Sequence, residues 1–236
     1  TCALPISNTP HVLTETTADL AFTLLLSAAR KVPFLDHWTK QGEWKRTVGP
    51  QQFGLDVFGK TLGIIGLGNI GAAIARRGFY GFNMNIVYHN RREKPGLAEP
   101  LKAQYLGLEE LLQQSDFVVT AVDLNGESKA LMGKAQFELM QKHAIFINIA
   151  RGSVVDEQAL IEALQNEVIF AAGLDVYEKE PLQESALFNL PNVVTLPHVG
   201  SATAETRKKM ANLAYKNLVE ALEDKTPRYL VNPNFV

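Results

Sequence analysis

Residues Thr61 to Gly81, TLGIIGLGNIGAAIARRGFYG, restrict what this chain can fold into more than any other stretch. Leu62, Ile64 and Ile65 make a short apolar run that ends at Gly66, and from Asn69 onward Ile70, Ile74 and Ala75 recur at helical spacing. A strand, a tight turn and a helix therefore meet at Gly66, Gly68 and Gly71, which spell G-x-G-x-x-G. The first glycine permits the turn, the second leaves room for a pyrophosphate against the backbone, and the third lets helix and strand pack closely. The start of the helix adds free N–H groups for the phosphates. Glycines at this spacing also arise as ordinary turn residues, but a strand before and a helix after favour a dinucleotide site. Its backbone cradle is then Gly66, Leu67, Gly68, Asn69, Ile70 and Gly71.

Apolar runs recur along the rest of the chain, at Asn85 to Tyr88, Phe117 to Val122, Ala144 to Ile149, Ala171 to Val176 and Val193 to Leu196. With Leu62 to Ile65 they predict six short strands separated by helical or polar connections, the pattern of an α/β fold with a doubly wound parallel sheet of Rossmann type covered on both faces. Leu108 to Gln114 and Gln158 to Gln165 supply connecting helices, the second opened by Asp156 as N-cap. Ahead of the glycines, Val12 to Arg30 reads as a buried helix, with Leu20, Leu24 and Ala28 on one line and Phe22, Leu25 and Ala29 on its flank. Residues 31–59 mix Trp38, Trp44, Phe53 and Phe58 with Gly and Pro and show no clear period. They read as a long loop serving as a subunit-contact arm, with packing on its own domain as a near-even alternative.

Composition narrows the class. A formal net charge of -2 and no basic run longer than Arg207, Lys208 and Lys209 argue against nucleic acid, and a solvated helix face accounts for that trio. The apolar run from Ala21 to Ala29 is interrupted by Thr23 and Ser27 and is short of the ~20 residues of a membrane span. Cys2 is the single cysteine, so no disulfide forms within the chain and a reducing, cytoplasmic setting is expected. Residues 1–7, TCALPIS, have no periodicity and read as a non-native leader, which would leave Cys2 without a function.

Ligands of such folds lie beyond the carboxyl ends of the strands. At the end of the second strand stand His89, Asn90, Arg91 and Arg92, where an NAD site places a carboxylate for the ribose hydroxyls. The missing acid and the added cations favour NADP(H), with NAD(H) the alternative. Another strand end carries Asn148-Ile149-Ala150-Arg151-Gly152, where a guanidinium fork can grip a carboxylate. A third carries Asp175 and then Glu180, and a fourth carries His198 before Val199 and Gly200. A surface arginine, a charged turn and a structural histidine are the bland readings of these three, unless they converge on one crevice. No metal is expected there.

Together, GLGNIG, NIARGSVVDEQAL, AAGLDVYEKEPL and LPHVGSAT, in this order and spacing, resemble the D-isomer-specific 2-hydroxyacid dehydrogenases, especially their glyoxylate/hydroxypyruvate/2-ketogluconate reductase branch. The resemblance runs from about Asn8 to the end. It implies Arg151 as the ligand of substrate carboxylate and carbonyl, His198 as acid/base, Glu180 as its hydrogen-bond partner, and Asp175 against the nicotinamide carboxamide, with Ala150 and Gly200 beside the cofactor. Hydride addition to the carbonyl of a 2-keto acid develops charge on oxygen, so a proton donor there lowers the barrier. An imidazolium with an unperturbed pKa of about 6.5 suits that task, and an ionised Glu180 is expected to favour the charged form. A homodimer with a small 2-keto or 2-hydroxy acid as substrate is implied. NAD-linked phosphoglycerate or other 2-hydroxyacid dehydrogenases, and dinucleotide-sensing corepressors, are the alternatives.

Two departures stand in the loop AVDLNGES, where the family usually has proline in place of Asp123 and threonine in place of Ser128. The family also begins with roughly a hundred residues of a flavodoxin-like substrate domain not represented here. Residues 8–203 are therefore expected to form the dinucleotide-binding domain. Residues 204–236, a helix with Met210, Leu213, Leu218 and Leu222 on its apolar side and then a tail, are the remnant of the other domain.

Overall fold

The computed structural model describes residues 5–223 and 225–232. Cys2 and the start of the expected leader lie outside them. Seven parallel strands form one sheet in the order β3-β2-β1-β4-β5-β6-β7. They are β1 Thr61–Ile65, β2 Asn85–His89, β3 Gln104–Tyr105, β4 Phe117–Thr120, β5 Ile145–Asn148, β6 Ala171–Leu174 and β7 Val193–Thr195. The expected six are present, and β3 is an addition: only two residues long and exposed on both, it offers no apolar run to read. β4 and β5 are buried along their whole length, as strands covered on both faces must be.

Helices α1 Thr14–Ala29 and α3 Asn69–Phe82 cover one face, burying Leu24, Leu25 and Ile74 against Ile64, Ile145 and Ile147. α5 Leu108–Gln114, α6 Lys134–Leu139 and α7 Glu157–Gln165 cover the other with Leu111, Phe137 and Leu160. Each such fully buried side chain contributes roughly 1.5–3 kcal/mol. α1 buries the predicted face apart from Leu20, which is half-buried. Asp156 caps α7 by accepting the Ala159 N–H at 3.1 Å. The short α4 Pro95–Ala98 lies between β2 and β3.

The segment 31–59 is not the irregular loop expected. Val32–Lys40 forms helix α2, with Pro33 in its first turn and Phe34, Leu35 and Trp38 half-buried on one side, too short an apolar turn to stand out from the stretch around it. Beyond it Trp44, Phe53 and Phe58 are exposed. At the other end of the chain, α8 Ala204–Leu222 buries only Thr206 and Asn217, while Leu218 and Leu222 face outward. Residues 6–8, at the border of the expected leader, bond to the tail: Ser7 bridges Leu230 antiparallel and Val231 N–H donates to the Ile6 carbonyl at 2.7 Å.

Register sets where the chemistry emerges. Ile65 lies opposite His89 on one side and Thr120 on the other, so Gly66, Asn90 and Ala121 leave the sheet side by side. Asn148 lies opposite Thr120 and Leu174, and Leu174 opposite Thr195, which brings Ile149, Asp175 and Leu196 out along the same edge. The order of strands reverses between β1 and β4, and the crevice beyond that point is where a ligand binds.

Candidate active site

The glycine turn has the geometry its spacing predicts. Gly66 has φ +105, accessible without strain only to glycine, and a Cβ on Gly71 would overlap the Gly66 carbonyl. A Cβ position on Gly68 meets nothing within 4 Å, leaving open space where the phosphates of a dinucleotide would lie against the start of α3. The residues present thus fit the cofactor. Within the expected cradle, the Leu67 side chain is wholly buried and its N–H donates to Asn90 Oδ1 at 2.6 Å. Asn90 therefore braces the turn from β2.

Two clefts flank the turn. The smaller cleft, ≈ 290 Å³, is lined by Gly66, Gly68, His89, Asn90, Arg91 and Lys94 with the loop after β4. His89 Nδ1 lies 2.9 Å from the Leu106 carbonyl, and its ring stacks on Tyr105. Arg91 Nη1 reaches Glu127 Oε2 across the cleft mouth at 3.1 Å. Lys94, not Arg92, joins Arg91 on the lining, a cation that sequence reasoning missed because the short α4 begins just after it. The loop carrying Asp123 and Ser128 is closed by its own side chains: Ser128 Oγ donates to the Asp123 carbonyl at 2.6 Å, and Asn125 Oδ1 accepts the N–H groups of Glu127 and Ser128.

The larger cleft, ≈ 820 Å³, contains Ile70, Ala150, Arg151, Asp175, His198 and Gly200, so the strand ends suspected from sequence do converge. Arg151 sits on a turn built by Asn148, which is buried. Asn148 Oδ1 accepts the Ala150 N–H at 3.1 Å and the Thr120 hydroxyl at 2.8 Å, and its amide donates to the Arg151 carbonyl at 3.2 Å. Gly152 follows because a Cβ there would overlap the backbone of Tyr177. Arg151 Nη1 donates to the Ala150 carbonyl at 2.6 Å.

His198 is in the left-handed region, φ +54, a conformation that needs holding. Asp175 holds it: its buried carboxylate accepts Val199 N–H at 2.7 Å and Gly200 N–H at 2.8 Å. Burial raises the Asp175 pKa, and the two N–H groups offset part of that rise. From the other side the Thr17 hydroxyl of α1 donates to the Gly200 carbonyl at 3.2 Å. Tyr177 ties the strand ends together by donating its phenol hydroxyl to the Leu196 carbonyl at 2.9 Å, and burial drives its pKa upward. Asp175, expected as a cofactor contact, lines the cleft and is also the anchor of the histidine loop.

His198 Nδ1 lies 2.7 Å from Glu180 Oε2, while Glu180 Oε1 accepts the Tyr177 N–H at 3.0 Å. Burial pushes the Glu180 carboxyl up, but the bonds from His198 and Tyr177 and the charges of His198 and Arg151 outweigh it and hold the pKa below its ordinary value. A carboxylate only accepts, so the contact assigns a proton to Nδ1 and leaves Nε2 for chemistry.

The fold and the glycine turn define a Rossmann-type domain for a nicotinamide dinucleotide, with Arg151 and His198 gathered on one cleft beside it. The family model for the NAD-binding domain of D-isomer-specific 2-hydroxyacid dehydrogenases matches residues 22–200. The chain is 52% identical over 230 residues to glyoxylate/hydroxypyruvate reductase B of Enterobacter sp. (strain 638), covering 97% of this chain and 71% of that protein. Among solved structures, a protein from Thermus thermophilus superposes with TM-score 0.90 at 42% identity, over 96% of this chain and 71% of that one. The NADPH-dependent glyoxylate/hydroxypyruvate reductase of Sinorhizobium meliloti, solved with NADP and malonate, superposes with TM-score 0.87 at 37% identity, over 96% and 70% of the two chains. The chain belongs to the D-isomer-specific 2-hydroxyacid dehydrogenase family, on its glyoxylate/hydroxypyruvate reductase branch.

Proposed function

We propose that this protein reduces small 2-keto acids, glyoxylate, hydroxypyruvate or 2-ketogluconate, to D-2-hydroxy acids, with NADP(H) preferred over NAD(H). The observation that carries this is His198, paired with Glu180, sharing one cleft with Arg151. The bound nicotinamide supplies the hydride. Arg151 grips the substrate carboxylate and polarises its carbonyl, a task suited to a planar fork. His198, oriented through Nδ1 by Glu180, gives the proton on Nε2 to the oxygen that becomes the new hydroxyl. Asp175 and Asn148 keep the two groups where they are needed without entering the reaction.

Arg91 and Lys94 beside a β2 end without a carboxylate support the NADP(H) preference, as does the NADPH dependence of the Sinorhizobium relative. The exposed Trp44, Phe53 and Phe58 support a homodimer built on residues 31–59. Residues 204–236, with the share of the relatives' length beyond this chain, belong on this reading to a substrate domain that forms the other cleft wall. Among the described residues no helix is long and apolar enough to cross a membrane, and a cytoplasmic setting fits the single cysteine.

The test is initial rates with glyoxylate and hydroxypyruvate at equal concentrations of NADPH and NADH. Turnover of either acid, faster with NADPH, is expected. Tight dinucleotide binding without turnover of any 2-keto acid would turn the reading toward a sensor, and a strong preference for NADH would remove the cofactor assignment. Light scattering on the same preparation tests the dimer.

A further inference from the structure

Arg207 has a charge that the fold does not explain. It lies at the start of α8, where Thr203 caps the helix by accepting the Thr206 N–H at 3.2 Å. The helix dipole disfavours a cation there. The neighbouring carboxylate does not compensate it, because Glu205 pairs with Lys209 at 2.6 Å. Among the described residues Arg207 has no ion pair and no side-chain hydrogen bond. Its position is nonetheless fixed: Thr206 is buried and its hydroxyl meets that of Thr16 at 2.6 Å, locking the start of α8 onto α1. Arg207 lines the same cleft as Arg151 and His198. All of the basic trio 207–209 is exposed, as a solvated helix face would be, but Lys209 pairs with Glu205 whereas Arg207 also borders the cleft.

Within the cleft Asp175 is matched to two backbone N–H groups, and although Asp123 also lines it, neither Arg151 nor Arg207 forms an ion pair among the described residues. A 2-keto acid presents one carboxylate and one carbonyl at its reacting end, and Arg151 with His198 suffices for both. A second fork in the same space fits oxygen groups farther along the substrate.

Resting on the reductase reading above, we propose that Arg207 binds the distal oxygen groups of the substrate, a second carboxylate or a chain hydroxyl, and so selects among 2-keto acids by what they carry beyond the carbonyl. Glyoxylate, with nothing beyond that carbon, is indifferent to Arg207.

The experiment titrates malonate as a dicarboxylate probe and glycolate as a monocarboxylate probe into the NADP-loaded protein by calorimetry, for the wild type, R207Q and R207K. In R207Q, malonate binding weakens about tenfold or more while glycolate binding changes less than about twofold. R207K falls between, since lysine keeps the charge without the fork. Equal weakening of both probes, unchanged malonate binding, or a wild type that does not bind malonate overturns the proposal. A loss of NADP affinity in R207Q also overturns it, by assigning the arginine to the cofactor pyrophosphate. Failure of the parent reading is separately visible: a wild type that binds malonate through Arg207 yet turns over no 2-keto acid keeps the site and loses the reductase.

Discussion

The two clefts beside the glycine turn are built differently. In the larger one, the proposed nicotinamide end, the side chains proposed to do the chemistry are pinned by others: His198 by Glu180, its loop by Asp175 and Thr17, and Arg151 by the turn around Asn148. Asn148 and Asp175 are nearly fully buried. In the smaller cleft, the proposed adenosine end, the cations are exposed, and among the described residues Arg91 is held only by Glu127, with 78% and 72% of the two side chains accessible. Proton transfer tolerates little displacement, so its groups sit on a rigid scaffold. Choosing between a ribose hydroxyl and a ribose phosphate requires only charge nearby, which surface side chains supply.

The largest effect that would break this contrast lies at His198. His198→Asn should lower kcat by ~10²-fold or more with dinucleotide binding intact. Near-normal turnover in a folded variant would mean that the pinned end is not the chemical end. Asp175→Ala comes next. It leaves the Val199 and Gly200 N–H groups without an acceptor and frees a backbone held at positive φ, so kcat should fall ~10- to 100-fold and stability by ~2 kcal/mol or more. Calorimetric melting alongside kinetics separates the two losses. Lowered stability with unchanged kcat would reduce Asp175 to a structural residue.

Glu180 allows a test through pH. Its carboxyl is held below the ordinary value of 4.5 in the folded protein, whereas the unfolded chain takes up its proton near that value. As pH falls through this window the unfolded state binds more protons, so the stabilisation present above it is lost toward acid. The melting-temperature difference between wild type and Glu180→Gln should therefore be largest near neutrality and shrink below pH 4.5. A difference constant with pH would show that shape, not the charged pair with His198, holds the loop.

The same contrast explains what could be read from the chain beforehand. β4, β5 and β6 were legible because burial on both faces demands unbroken apolar runs, and the glycine turn because few backbones need that spacing. α2 was hidden because Phe34, Leu35 and Trp38 make a single apolar turn in a stretch otherwise without period, and β3 because two exposed residues carry no period. Arg151, Glu180 and His198 were singled out from chemistry and family likeness, and the structure places their strand ends side by side. The bracing contact of Thr17 and the place of Arg207 on the cleft were not legible because they arise only where distant segments meet. Thr17 reaches Gly200 across 183 positions, and no local pattern records such a pairing.

The smallest expected effect tests the adjustable end. Arg91 either grips the 2′-phosphate of NADPH or rests on Glu127 at 3.1 Å, and the two anions compete for one guanidinium. Glu127→Gln removes the competitor and its repulsion of the phosphate, whereas NADH, without that phosphate, gains nothing. An exposed pair of this kind contributes ~0.2–1 kcal/mol, which corresponds to a selectivity gain for NADPH over NADH of about 1.5- to 5-fold. Because both side chains are in solvent, the gain should fade as salt rises toward ~1 M, where the screening length drops to about 3 Å. Ratios of kcat/KM for the two cofactors at low and high salt measure both. A gain that persists in high salt, or that appears equally for NADH, would place Glu127 against the adenosine itself. The adenosine end would then be as rigidly built as the nicotinamide end.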